Sequence, residues 1–181
     1  DIAHIVAGLV RALVYLHFLN IVHRDIKCTN VLVAKRGSVK LCDFGLAALL
    51  TSERPRRNSL AGTASMMAPE ILKSEEYDTS VDVWALGMVI LRLADVAPYP
   101  PHVKPETVLK ILNQQGIPNV GPKWSGNMAK FIAEVLTIDA SKRPSPSVLL
   151  QHDWLMLAEI GDNFTDMVVK AQRESGNCVI Q

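Results

Sequence analysis

The apolar residues Ile2, Val6, Leu9, Leu13 and Leu16 recur at alternating spacings of four and three, which places them on one face of a helix that stops at Asn20. Two β-type runs follow, Val31-Leu32-Val33 and Val39-Lys40-Leu41, around Gly37. This pattern predicts a small hairpin that brings Asn30 and Asp43 close together. From Thr51 to Ser59 the chain is Pro, Arg, Ser and Asn without periodicity, which predicts a mobile loop. Helical periodicity then returns over roughly 80–96, 105–115, 126–136 and 145–151, separated by Pro- and Gly-marked breaks, and an amphipathic stretch covers 162–174. The predicted molecule is mostly helical, with one short β-ribbon.

Composition narrows the picture. With 181 residues, 49% apolar and 20% charged, the chain has the makings of one soluble domain with a sizeable core. A net charge of +1 gives no electrostatic case for nucleic acid, and Arg54-Pro55-Arg56-Arg57 reads as local loop charge. Cys28, Cys42 and Cys178 are an odd, scattered set without a CxxC, so reduced thiols in a cytoplasmic protein, with no zinc site, are expected. The longest apolar run, Val83 to Leu91, is too short to span a bilayer.

Three segments carry chemistry: His23-Arg24-Asp25-Ile26-Lys27-Cys28-Thr29-Asn30, then Asp43-Phe44-Gly45, then Ala68-Pro69-Glu70. Asp25 can accept the proton of an attacking hydroxyl, while Asn30 and Asp43 can hold magnesium against a transferring phosphate. On these motifs the chain resembles the eukaryotic protein kinases over nearly its whole length. That resemblance implies ATP and Mg2+ as cofactors and protein Ser/Thr hydroxyls as substrates. Asp25, Lys27 and Thr63 would be catalytic, Lys27 placing a cation near the γ-phosphate. Asn30 and Asp43 would be metal ligands, and Leu32 would lie beneath the adenine. His23 and Phe44 would stack in a hydrophobic column whose base Asp82 anchors through the catalytic-loop backbone. Glu70 and Arg143 would form a buried structural ion pair.

Kinases also carry a glycine-rich loop, a strand lysine and a helix glutamate before the catalytic loop, and residues 1–22 contain none of them. The expected fold is therefore mainly α: the C-terminal lobe of the kinase-like α+β fold, as a single domain over 1–181. Its parts would be a leading helix (1–19), the catalytic loop (23–30), an activation segment (43–70), a helical subdomain (80–151) and a tail (152–181). Alone, such a lobe is expected to be inactive. A competing reading is a non-catalytic kinase-like docking module; intact Asp25, Lys27, Asn30 and Asp43 favour the enzyme.

Within the kinases the chain is similar to the sterile-20 type and its PAK (p21-activated) branch. Gly37-Ser38-Val39-Lys40-Leu41, Gly62-Thr63, Met67-Ala68-Pro69-Glu70-Ile71, Asp82-Val83-Trp84 with Leu86-Gly87, and Leu149-Leu150-Gln151-His152 carry that likeness. It implies a Rho-type small GTPase partner acting through regions outside this chain, and Ser59 as a regulatory phosphorylation site whose phosphate pairs with Arg24. Ala64, Ser65 and Met66 depart from the branch's pattern beside the substrate pocket. Arg92 stands where basophilic kinases have a glutamate. Cys42, before Asp43, reads either as an alkylation-sensitive thiol facing the nucleotide or as a small packed hydrophobe. Cys178-Val179-Ile180-Gln181 forms a Cys-aliphatic-aliphatic-X end that would accept a farnesyl group, although the family is not generally prenylated. One lipid chain would give only weak, reversible membrane binding.

Overall fold

The apolar stripe of the first residues winds into helix α1 (Ile2–Phe18), which buries Val6, Leu9, Val10, Leu13 and Leu16. The computed structural model describes residues 2–34, 37–119 and 121–156. Asn20 ends the helical course with a φ of +55°, a left-handed conformation that asparagine tolerates. The chain then enters a two-residue strand, β1 (Ile21–Val22). A 3₁₀ turn over Cys28–Asn30 leads into β2 (Val31–Val33), which pairs antiparallel with β3 (Val39–Leu41) in the register Val31↔Leu41 and Val33↔Val39. Gly37 supplies the positive φ of the connection, +78°. This is the hairpin the sequence predicts.

A second ribbon has no counterpart in the sequence pattern. β4 (Ala48–Leu49) pairs antiparallel with β1, Val22 opposite Ala48, and ties the stretch after Asp43 to the start of the loop that carries Asp25. The hairpin rests on α1: a Cβ on Gly8 would lie 2.6 Å from Cβ of Val39, so the helix and β3 meet almost backbone to backbone.

After a short helix α2 (Pro69–Leu72), helix α3 (Ser80–Leu93) forms the centre of the domain. Every residue from Val81 to Leu91 is buried, as expected of a helix apolar on all sides. At Gly87 a Cβ would approach Leu136 Cδ2 to 2.6 Å, so the absent side chain is what admits the end of α5. α3 stops three residues short of the predicted 96, because the chain turns at Ala94 and Asp95 takes a φ of +59°.

The remaining α-helices among the described residues are α4 (Pro105–Gln115), α5 (Gly126–Val135), α6 (Pro146–Leu149) and α7 (Asp153–Met156). Ser125 and Ser145 cap α5 and α6 by accepting the N–H groups of Met128 and Val148. The helix predicted over 145–151 is cut short by a turn before α7 begins. The predicted amphipathic helix over 162–174 and Cys178 lie outside the described residues. Mainly helical content with few strands is what the sequence led us to expect.

Candidate active site

The loop between β1 and β2 is held from below by one carboxylate. Asp82, in the first turn of α3 and fully buried, accepts the backbone N–H of His23 at 2.9 Å and that of Arg24 at 3.0 Å. His17 Nε2, from α1, lies 3.1 Å from the same carboxylate. Three partners satisfy a charge that would otherwise be costly to bury. Arg24 takes a left-handed φ of +69°, a strain of order 1–3 kcal/mol that the anchored loop must sustain.

This bend presents Asp25 to a converging set of donors. Its Oδ2 accepts Lys27 Nζ at 2.7 Å and Asn30 Nδ2 at 3.3 Å; its Oδ1 accepts the Thr63 hydroxyl at 2.7 Å and the Thr63 N–H at 3.1 Å. Asn30 Nδ2 also donates to the Asp25 carbonyl at 2.9 Å, and Lys27 Nζ reaches Thr63 Oγ1 at 3.3 Å. Burial by itself pushes the Asp25 carboxyl up. The hydrogen bonds from Lys27, Thr63 and Asn30, with the charge of Lys27, outweigh that and hold it below the ordinary carboxylate value. Asp25 is thus an ionised acceptor at neutral pH.

Thr63 can reach Asp25 because Gly62 closely crosses the loop between β1 and β2. Gly62 has a φ of +109°, and a Cβ there would run into the Arg24 carbonyl oxygen.

The hairpin sets the second pair. Cys42 donates its N–H to the Asn30 carbonyl at 3.0 Å, so Asp43 follows directly beside Asn30. Asp43 is exposed, has a left-handed φ of +64° and accepts the Gly45 N–H at 3.2 Å. Asn30 spends its Nδ2 on Asp25, leaving its amide oxygen for a ligand. An amide oxygen beside an exposed carboxylate suits Mg2+, which takes few protein ligands and fills its shell with water and phosphate oxygens. The donor set fits the ion.

The other predicted residues fall as follows. His23 and Phe44 touch, ring centroids 4.9 Å apart, with Phe44 48% exposed. Glu70 and Arg143 form a bidentate pair at 2.5 and 2.8 Å. Leu32 is half-buried on β2 opposite Lys40. Ser59 is exposed, with Arg24 Nη1 at 2.9 Å from its hydroxyl. Arg92 is exposed in the last turn of α3, and Ala64–Met66 form a 3₁₀ turn. Cys42 is partly covered and its thiol donates to the Asn30 carbonyl at 3.3 Å, an arrangement that favours the packed reading; Cys28 is exposed.

Sequence reasoning missed His17, Tyr77 and Arg57. The signal for His17 was its place one residue past Leu16 on the apolar side of α1. Tyr77 was an aromatic set among acids in Glu75-Glu76-Tyr77-Asp78, and it is 2% exposed. Arg57 was read only as loop charge.

Residues 1–155 match the protein kinase domain family. The chain is 40% identical over 179 residues to serine/threonine-protein kinase pakA of Dictyostelium discoideum, covering 98% of this chain and 15% of that protein. It is 36% identical over 174 residues to pakC of the same organism, covering 95% and 36%. With serine/threonine-protein kinase 1 of Arabidopsis thaliana it shares 36% identity over 176 residues, covering 96% and 21%. The chain therefore spans about a third or less of the length of these relatives. A match over most of the chain, joined to a buried Asp25 that gathers Lys27, Asn30 and Thr63, establishes that this chain belongs to the protein kinase family, and its relatives make it similar to the PAK-type serine/threonine kinases.

Proposed function

We propose that this chain carries the catalytic residues of an ATP- and Mg2+-dependent serine/threonine protein kinase and forms the C-terminal lobe of its catalytic domain. The observation that carries the reading is the convergence on Asp25: an ionised carboxylate fixed by Lys27, Asn30 and Thr63, one loop away from Asp43. Asp25 orients a substrate hydroxyl and takes its proton. Lys27, already donating to Asp25 and Thr63, keeps a positive charge beside the acceptor. Asn30 and Asp43 would hold Mg2+, which when bound neutralises charge on the phosphate oxygens. Leu32 offers the apolar floor for an adenine. Asp82 and His17 position the loop, and Glu70 with Arg143 fixes the end of the activation segment.

The groups that cover and orient the ATP phosphates come, in this reading, from residues outside these 181. Positioning can supply roughly 7–11 kcal/mol of a barrier, so the isolated chain is inactive. Ser59 is the regulatory phosphorylation site, and a Rho-type GTPase acts through other regions of the longer protein. A farnesyl group on Cys178 would add weak membrane affinity to an otherwise cytoplasmic enzyme; intact mass from its native cell reads this directly.

The test is phosphotransfer to Ser/Thr peptides. A protein extended to include a glycine-rich loop and strand lysine transfers phosphate, and Asp43→Ala abolishes it; the 181-residue chain does not. Turnover by the short chain that Asp43→Ala removes would overturn the lobe assignment. An extended protein without turnover after Ser59 phosphorylation would overturn the kinase reading.

A further inference from the structure

We propose that Arg92 makes this site select substrates carrying an acidic or phosphorylated residue within about three positions of the acceptor hydroxyl. The inference rests on the kinase reading above and names a substrate class for the same site.

Helix α3 runs buried from Val81 to Leu91, and Arg92, in its last turn, is where the helix first emerges into solvent after that run. It emerges beside the loop that carries Asp25. The 3₁₀ turn Cys28–Asn30 packs against α3. Burial pushes the Cys28 thiol up, and the positive charge of Arg92 acts against that, so the guanidinium lies within electrostatic reach of this residue. Cys28 and Thr29 are exposed, whereas Asp25 and Asn30 are buried. This side of the loop is an open ledge that leads down to the carboxylate.

The ledge is short. The chain from Asp25 to Cys28 can span no more than about 11 Å. An extended substrate covers that interval in about three residues, at about 3.3 Å each. With its hydroxyl on Asp25, a substrate lying along the ledge therefore carries a side chain two or three positions away over Cys28 and beside Arg92.

The charge that side chain meets is unbalanced. Lys27, the other cation of the ledge, is neutralised by Asp25 at 2.7 Å. Arg92 has no ion-pair partner among the described residues. Asp95, the nearest acid in sequence, is exposed past the helix end, where its φ of +59° turns the chain away. A guanidinium only donates, and its fork matches two oxygens of a carboxylate or phosphate at once. A substrate lysine or arginine in the same place meets a like charge. The dipole of α3 also favours a cation in its last turn, which lets the fold keep Arg92 unpaired. A role confined to the dipole would leave substrate preference untouched, and that separates the two.

The first measurement needs no phosphotransfer. Labelled peptides differ only in carrying Glu, phosphoserine, Gln or Arg at one position, up to three residues either side of a single serine, and their binding to the 181-residue chain is read by fluorescence anisotropy. At the best position, two or three residues from the serine, the Glu peptide should bind about tenfold more tightly than the Arg peptide, attraction and repulsion at an exposed charge each contributing a few-fold. Phosphoserine should exceed Glu. Arg92→Lys should keep this order, Arg92→Gln should level it and Arg92→Glu should reverse it, while salt near 1 M should erase most of it. Lys130→Glu makes the same change of net charge at an exposed site on α5 and should leave the order as it is. Melting scans confirm that each variant folds. In the extended kinase the same order should appear in kcat/KM, carried by KM.

A wild-type chain that does not distinguish Glu from Arg overturns the proposal, as does an order that survives Arg92→Glu or that Lys130→Glu also reverses. Turnover of the Gln peptide by the extended kinase reports on the kinase reading separately: its absence, with the charge order intact in binding, removes the reaction and leaves the selectivity of the surface standing.

Discussion

Among the described residues, the ion pairs Glu70–Arg143 and Asp25–Lys27 are built to opposite ends. In the first, all five Arg143 N–H hydrogens are spent: two on Glu70 and three on the carbonyls of Thr137, Ser80 and Ile138, with the guanidinium 5.2 Å over the Trp84 ring. The Arg143 side chain is wholly buried. In the second, Lys27 keeps 29% of its side chain exposed, and Thr63, on another segment, shares the same carboxylate. A closed pair can only hold structure. An open one can exchange a partner for a substrate hydroxyl, which is the difference between a rivet and a reaction centre.

The largest effect should come from breaking the closed pair. Arg143→Met leaves Glu70 as an unpaired buried charge, and urea unfolding should show a loss of about 3–5 kcal/mol. Adding Glu70→Leu should recover part of it, since the charge and not the volume is the main cost.

Next in size is Gly62→Ala, which forces a side chain against the Arg24 carbonyl at a φ glycine alone tolerates. It should cost about 1–3 kcal/mol by the same unfolding measurement and withdraw Thr63 from Asp25. A substitution that left both unchanged would show that the crossing is not tight.

Opening the second pair should cost the fold less. Because its neighbours hold the Asp25 pKa below 3.8, the charged form adds stability that is fully present above about pH 4 and is lost as pH falls through the lowered value. Urea titrations between pH 2 and 5 should therefore show a shallower acid loss for Asp25→Asn than for wild type. Equal slopes would remove Asp25 from the acid response. The smallest stability change is expected at exposed Ser59, where Ser59→Ala should stay within about 0.5 kcal/mol of wild type yet block activation of the longer kinase. Full activation of that variant would remove the switch.

How far the sequence spoke depended on the length of each pattern. Helices α1, α4 and α5 were legible because their apolar stripes run over several turns. The β2–β3 hairpin showed through β-branched runs around Gly37. The β1–β4 ribbon did not, since two-residue strands are too short to alternate. Asp25 and Asn30 were legible as a motif with Asp43, which the predicted hairpin brings beside Asn30, while the roles of Lys27 and Thr63 entered through the family resemblance. His17 and Tyr77 were not, because what gives them roles is contact with Asp82 and Ser59, 65 and 18 residues away, rather than any local spacing.

The contrast between the two pairs is tested most directly by Asp25→Asn in the kinase extended to its nucleotide-covering residues, with phosphotransfer and unfolding measured on the same sample. An open, catalytic Asp25 predicts a loss of roughly 10²–10⁴-fold in phosphotransfer, with unfolding free energy within about 1 kcal/mol of wild type. Retained phosphotransfer, or a collapse in stability as large as that of Arg143→Met, would contradict it.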